Sequence, residues 1–220
     1  MRTIRIDAPI GTEPGEISAR WFRSQLPTDG SPVRVIFHSE GGSVFEAFAI
    51  HDAIQAYRGR KTASVESMAF SAASLLLCAF DETTISPNGY VMLHAPHLDG
   101  REASGSERAL LANLRRRLID IYASKTRQPV ATITRLIDAE TFFDAEASVS
   151  LGLVDRVLSS RATITARAVP ARVLARLSTS TTMNAKARWQ AAVRACGSVR
   201  LADRKHPGLR LAMLAEVNRR

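Results

Sequence analysis

The chain has 220 residues, 45% of them hydrophobic, enough to bury a core and too apolar for a globally disordered polymer. No apolar run approaches the roughly 18–20 residues that a membrane-spanning helix needs; the longest, residues 72–80, is interrupted by Ser74, and no membrane partner is expected. The net charge of +9 is uneven: residues 1–158 carry 17 Lys/Arg against 19 Asp/Glu and residues 159–220 carry 13 against 2, so a near-neutral globular domain precedes a basic extension.

Residues 2–7 alternate apolar and polar and predict a half-buried strand. Residues 18–26 predict a short helix, ended by Pro27 and the turn residues Asp29 and Gly30. A strand over 33–37 stops at Gly41-Gly42. Ser43 then opens a helix with Glu46 three residues on, the pattern of a capping box. Ala47, Ile50, Ile54 and Tyr57 follow at helical spacing, and Gly59 ends the run. Further on, the pattern predicts a strand over 61–66, a helix of small residues over 71–80 and a strand over 83–86. Pro87-Asn88-Gly89 is a turn, and a strand over 90–94 follows it. A long helix over 104–126 carries the apolar stripe Leu110, Leu114, Leu118, Ile121 and Tyr122. Helices over 130–138 and 146–151, the second with Gly152 at its C-cap, precede a closing strand over 154–158. This alternation argues an α/β domain with a mainly parallel sheet. The extension is rich in Ala, Arg, Thr and Ser, is broken by Pro170 and has few large apolar residues, so no independent core is expected there.

Two cysteines, Cys78 and Cys196, form neither a disulfide framework nor a metal-ligand spacing. With no apolar signal core in the opening MRTIRIDAPIG, the expected setting is reducing and cytoplasmic. Three segments bear on chemistry. His38-Ser39-Glu40-Gly41-Gly42-Ser43 runs a strand through paired glycines into a helix, an arrangement that can bring backbone N–H groups close to a ligand; taken alone it reads first as a plain strand-to-helix turn. Ser67 to Ser74 is a strand-to-helix junction of small residues, where Ser71 is placed either as a nucleophile whose negative charge the N-terminal N–H groups stabilise, or as a simple helix cap. His94 ends an apolar strand, where active sites of parallel sheets collect, though a lone histidine there also reads as structural. His94 and His97 form H-x-x-H, but Pro96 prevents the helical geometry of a metal pair and no third ligand is evident, so no metal is expected.

Taken together, these segments resemble the Clp protease proteolytic subunit family, and among its branches the Clp-like head maturation (prohead) proteases of phages and prophages. The likeness rests on the order of motifs: GG before a helix, the serine-bearing small-residue helix, MLHAP, IYASKT in the long helix, and AETFFDAEASVSLGLVD. It spans residues 1–158 and implies a Clp/crotonase-type repeated β-β-α fold. By position it implies Ser71 as nucleophile, with Ser74 the second serine of the phage-type pattern, His94 as general base, and Glu140 as the acid that orients the imidazole, with Asp138 as the alternative. The oxyanion hole implied uses backbone N–H groups of Gly42, or Gly41, and of Ala72. The chain departs from the pattern at Ser67 (usually glycine), at Phe70 (usually small, here expected to narrow the cleft) and at Glu40 (usually proline).

The resemblance implies a serine endopeptidase that cuts capsid or scaffold proteins during phage head assembly. It would act in host cytoplasm or prohead, as a homo-oligomeric ring, with no metal or organic cofactor. The rival expectations are a degradative subunit working with an ATP-driven unfoldase, a crotonase-type acyl-CoA enzyme, and an inactive scaffold or capsid-assembly protein. The basic extension has the charge to contact nucleic acid or acidic protein surfaces, but its one aromatic, Trp189, gives base stacking little support.

Overall fold

A computed structural model describes residues 1–98 and 103–159. The extension expected over 159–220 therefore lies outside the described residues, apart from Ser159. A seven-stranded sheet is built from β1 (Arg2–Ile6), β2 (Val33–Ser39), β3 (Lys61–Phe70), β4 (Glu82–Ile85), β5 (Tyr90–Leu93), β6 (Thr141–Phe143) and β7 (Arg156–Val157). Its helices are α1 (Ala19–Gln25), α2 (Val44–Ala56), α3 (Ala72–Leu76, continued by a 3-10 turn over Leu77–Ala79), α4 (Gly105–Thr126), α5 (Val130–Asp138) and α6 (Ala145–Leu151). The mainly parallel α/β sheet expected from the alternation is present: every pairing is parallel except β5 with β6.

Four local differences from the sequence reading have clear causes. β6 carries no signal in the sequence, because three residues are too few to show alternation. The helix expected over 71–80 begins one residue later and tightens into a 3-10 turn after five residues. The capping box at Ser43 is only half formed. Ser43 Oγ accepts the Glu46 amide at 3.4 Å, but the Ser43 amide donates to the Ile10 carbonyl at 2.7 Å, and the Glu46 carboxylate goes elsewhere. A complete box instead opens α4, between Ser104 and Glu107. On α4 the stripe is buried at Leu114, Leu118 and Tyr122, joined by Ile119, whereas Leu110 is 45% exposed because the first turns of the helix extend past the core.

The core lies between the sheet and α1, α2 and α3, with Phe22, Phe37, Ile50, Leu75 and Leu76 fully buried. β3 organises the site. Its residues Thr62 to Val65 pair with β4, and Met68 to Phe70 pair with β5. Against β2 the register passes from Phe37↔Val65 to Ser39↔Ala69, so His38 stands opposite three residues of β3. This bulge is where β3 changes neighbours. The His38 imidazole Nδ1 and the Ser67 hydroxyl are hydrogen-bonded across it. Ser67, a departure from the family pattern, therefore has a partner of its own.

Candidate active site

The end of β3 and the end of β5 lie side by side, with Phe70 opposite Met92. One residue beyond, the Ser71 amide donates to the Met92 carbonyl at 2.9 Å, carrying the pairing past the strand. Two residues past Met92 stands His94. Ser71 Oγ and His94 Nε2 are 2.6 Å apart, within the reach a nucleophile and its base require.

Ser71 occupies the N-cap position of α3, yet its side chain makes no capping hydrogen bond; the hydroxyl is turned to the imidazole instead. Its backbone is the cause. With φ 52° and ψ −124°, Ser71 is in a left-handed conformation that favours glycine, a strain of about 1–3 kcal/mol of the kind that clusters at functional sites. Gly41 lies directly against this turn: a β-carbon on it would come within 2.5 Å of the Phe70 carbonyl oxygen, 2.8 Å of Ser71 Cβ and 2.9 Å of the Ala72 nitrogen. Only a glycine lets the two turns meet.

The Gly-Gly turn is fixed from two sides. The Ile10 amide donates to the Gly41 carbonyl at 2.7 Å. Ser39, fully buried, accepts the Gly41 amide at 3.2 Å and donates to the Ala8 carbonyl at 2.7 Å. The Gly41 N–H is thereby occupied. Among the described residues the N–H groups of Gly42 and Ala72 have no acceptor.

The carboxylates are placed differently. Asp138 forms a two-pronged ion pair with Arg115 of α4, at 2.6 and 2.8 Å. Glu140 follows α5 in a left-handed turn, φ 46°, and its side chain is exposed; among the described residues no hydrogen bond joins it to His94. Phe70, expected to narrow the cleft, has its side chain packed among apolar neighbours. It is buried edge-on to Phe142, ring centres 5.5 Å apart, in a small apolar cluster with Met92, Met68 and Tyr90. His97 packs edge-on to His94 with centres 5.0 Å apart. Among the described residues no group of three or more His, Cys, Asp or Glu could hold a metal ion, and no helix is long and apolar enough to cross a membrane.

Sequence reasoning missed Ser39 and Tyr122. Ser39 lies within the strand that runs into the paired glycines, but its buried hydroxyl is explained only by the return of residues 8–10 beside them. Tyr122 falls on the apolar stripe of α4 and reads as core, yet its hydroxyl meets Ser74.

Residues 9–161 match the family described as Clp protease. The ATP-dependent Clp protease proteolytic subunit 1 of Protochlamydia amoebophila is 32% identical over 161 residues, covering 70% of this chain and 78% of that protein. The subunits of the same name from Chlamydia caviae and Chlamydia abortus are each 30% identical over 152 residues, covering 66% of this chain and 78% of theirs.

Proposed function

The chain belongs to the Clp protease family, and from that premise we propose that it is a proteolytic subunit in which Ser71, His94 and Glu140 hydrolyse peptide bonds of protein substrates. The 2.6 Å approach of Ser71 Oγ to His94 Nε2 carries this reading. Ser71 Oγ attacks the scissile carbonyl carbon while its proton passes to His94 Nε2. The carbonyl oxygen becomes an oxyanion held by the N–H groups of Gly42 and Ala72. As the tetrahedral centre collapses, the C–N bond breaks and the Nε2 proton goes to the leaving amine. Water, deprotonated by the same nitrogen, then releases the acyl group and restores the hydroxyl.

Glu140 is the acid of this scheme, because Asp138 is committed to Arg115. In this scheme its carboxylate accepts the N–H of the imidazole Nδ1 and orients the ring. The relatives are named as ATP-dependent, which supports coupling to an ATP-driven unfoldase over the expected role in phage head maturation. The latter stands as a second reading on one feature, the +11 charge balance of residues 159–220. Assembly into a homo-oligomeric ring is part of the proposal in either case.

Labelling with a fluorophosphonate and mass mapping tests the assignment. Modification at Ser71, lost in Ser71→Ala with an unchanged circular dichroism spectrum, is expected; a folded wild-type chain that stays unlabelled refutes it. Glu140→Gln should lower kcat by roughly 10²–10⁴-fold while Asp138→Asn leaves it near wild type, and the reverse pattern would move the acid to Asp138. Proteolysis of a folded protein that requires an added ATPase favours the unfoldase reading; cleavage of capsid or scaffold proteins without one favours the other.

A further inference from the structure

The carbonyl of Ser71 and the N–H of Ala72 belong to one planar trans peptide unit, so they point in opposite directions and whatever holds the first aims the second. The Ser71 carbonyl is held twice by Ser74, through its amide at 3.0 Å and its hydroxyl at 2.7 Å. A serine hydroxyl has a single proton. Since that proton serves the Ser71 carbonyl, the other contact of Ser74 Oγ, 2.7 Å from the Tyr122 hydroxyl, is one in which Tyr122 donates. Both hydroxyls are buried, Ser74 fully and Tyr122 to within 2%. Tyr122 lies on α4, 48 positions along the chain from Ser74, and its ring is packed in the main core. Burial raises the phenol's pKa, which keeps it a donor throughout the working range.

We infer that Tyr122 is a positioning residue for the oxyanion donor. Its hydroxyl orients Ser74, Ser74 pins the Ser71 carbonyl inward, and the Ala72 N–H is thereby turned outward toward the developing oxyanion. The same two bonds hold Ser71 in its disfavoured backbone conformation, with the hydroxyl on His94. The helix that carries Arg115 toward Asp138 thus also sets the geometry of the nucleophile. This inference deepens the proposed function and rests on Ser71 being the nucleophile.

The test uses the full chain with Tyr122→Phe and Ser74→Ala, singly and together. Tyr122→Phe should lower kcat, and the second-order rate of fluorophosphonate acylation, about tenfold with KM within about twofold. A peptide boronate, whose adduct places an oxygen in the oxyanion hole, should lose affinity by a similar factor. The double variant should be no slower than Ser74→Ala alone, because the two hydroxyls act in series. A folded Tyr122→Phe with wild-type acylation and boronate affinity overturns the inference, as do fully multiplicative effects. If Tyr122→Phe does not fold, Tyr122→Met, which also fills the core without a hydroxyl, takes its place, and wild-type acylation in it overturns the inference equally. Failure of the underlying reading is distinct: the label would then map to a residue other than Ser71, or Ser71→Ala would retain activity.

Discussion

The Glu46 carboxylate accepts the amide of Ala19 at 2.6 Å, so a side chain in the first turn of α2 caps α1 instead of its own helix. Ser18 supplies the companion bond, accepting the Trp21 amide at 3.2 Å. Two of the N-terminal amides that α1 cannot satisfy internally are met in this way. The Ser43 amide, which Glu46 would serve in a capping box, is already held by the Ile10 carbonyl.

Removing this cross-helix cap should therefore act on α1. Glu46→Ala is expected to destabilise the chain by about 0.5–2 kcal/mol, the range for a lost N-cap, lowering Tm by a few degrees. Hydrogen exchange should show the loss at the amides of Ala19 and its neighbours. Glu46→Gln, which retains an oxygen acceptor, should recover most of it. Faster exchange confined to the first turn of α2 would show that the carboxylate acts on its own helix.

Gly41 offers a sharper separation of fold from activity. With φ 96° and a β-carbon pressed against the Phe70 carbonyl and Ser71 Cβ, Gly41→Ala must displace the Ser71 turn. Acylation of Ser71 should fall about a hundredfold or more, since a shift near 1 Å suffices for that. Gly15→Ala is the control: it has a similar φ, 91°, but open space around the added carbon. It should be labelled at the wild-type rate. Equal labelling of both variants would disprove the contact argument.

Acid stability provides a third check, at the β4–β7 edge. The Glu82 carboxyl is held below its ordinary value of 4.5 by hydrogen bonds from Arg156 and Arg60. A carboxylate with a depressed folded pKa contributes stability above its unfolded pKa and loses it as pH falls through the folded value. Glu82→Gln should thus melt lower than wild type at pH 7, and the difference should begin to shrink as pH falls below 4.5 and disappear once pH has passed through the depressed folded value. Melting curves at pH 7 and at an acidic pH where the chain still folds decide it; a difference that persists or grows on acidification contradicts the assignment.

Much of this fold was legible because alternation and helical spacing are local. The buried positions of α2, Ala47, Ile50 and Ile54, were readable at their spacing, and so was Gly152, which closes α6 with φ 85°. The half-formed box at Ser43 marks the limit of that logic: a pattern of Ser and Glu signals a cap without saying which amide the carboxylate will find. Ser71 hides its strain for a related reason. A left-handed backbone normally announces itself by glycine, and here the hydroxyl needed for chemistry occupies the position. Leu110 obeys the stripe of α4 yet stays exposed, since periodicity tells which side of a helix is apolar and not where the core stops. The pairing of Ser74 with Tyr122 depends on two distant segments meeting, and nothing in either segment foretells it.

Because β3 exchanges one neighbour for another halfway along, the separation of Ser71 from His94 is set by three rungs, Met68↔Tyr90 to Phe70↔Met92, and not by the residues strung between them. Loop surgery at Pro87-Asn88-Gly89 can change how much chain joins the pair without changing how they meet. A single-residue slip of those rungs, by contrast, would carry the imidazole to the opposite side of the sheet and leave the hydroxyl facing a stranger.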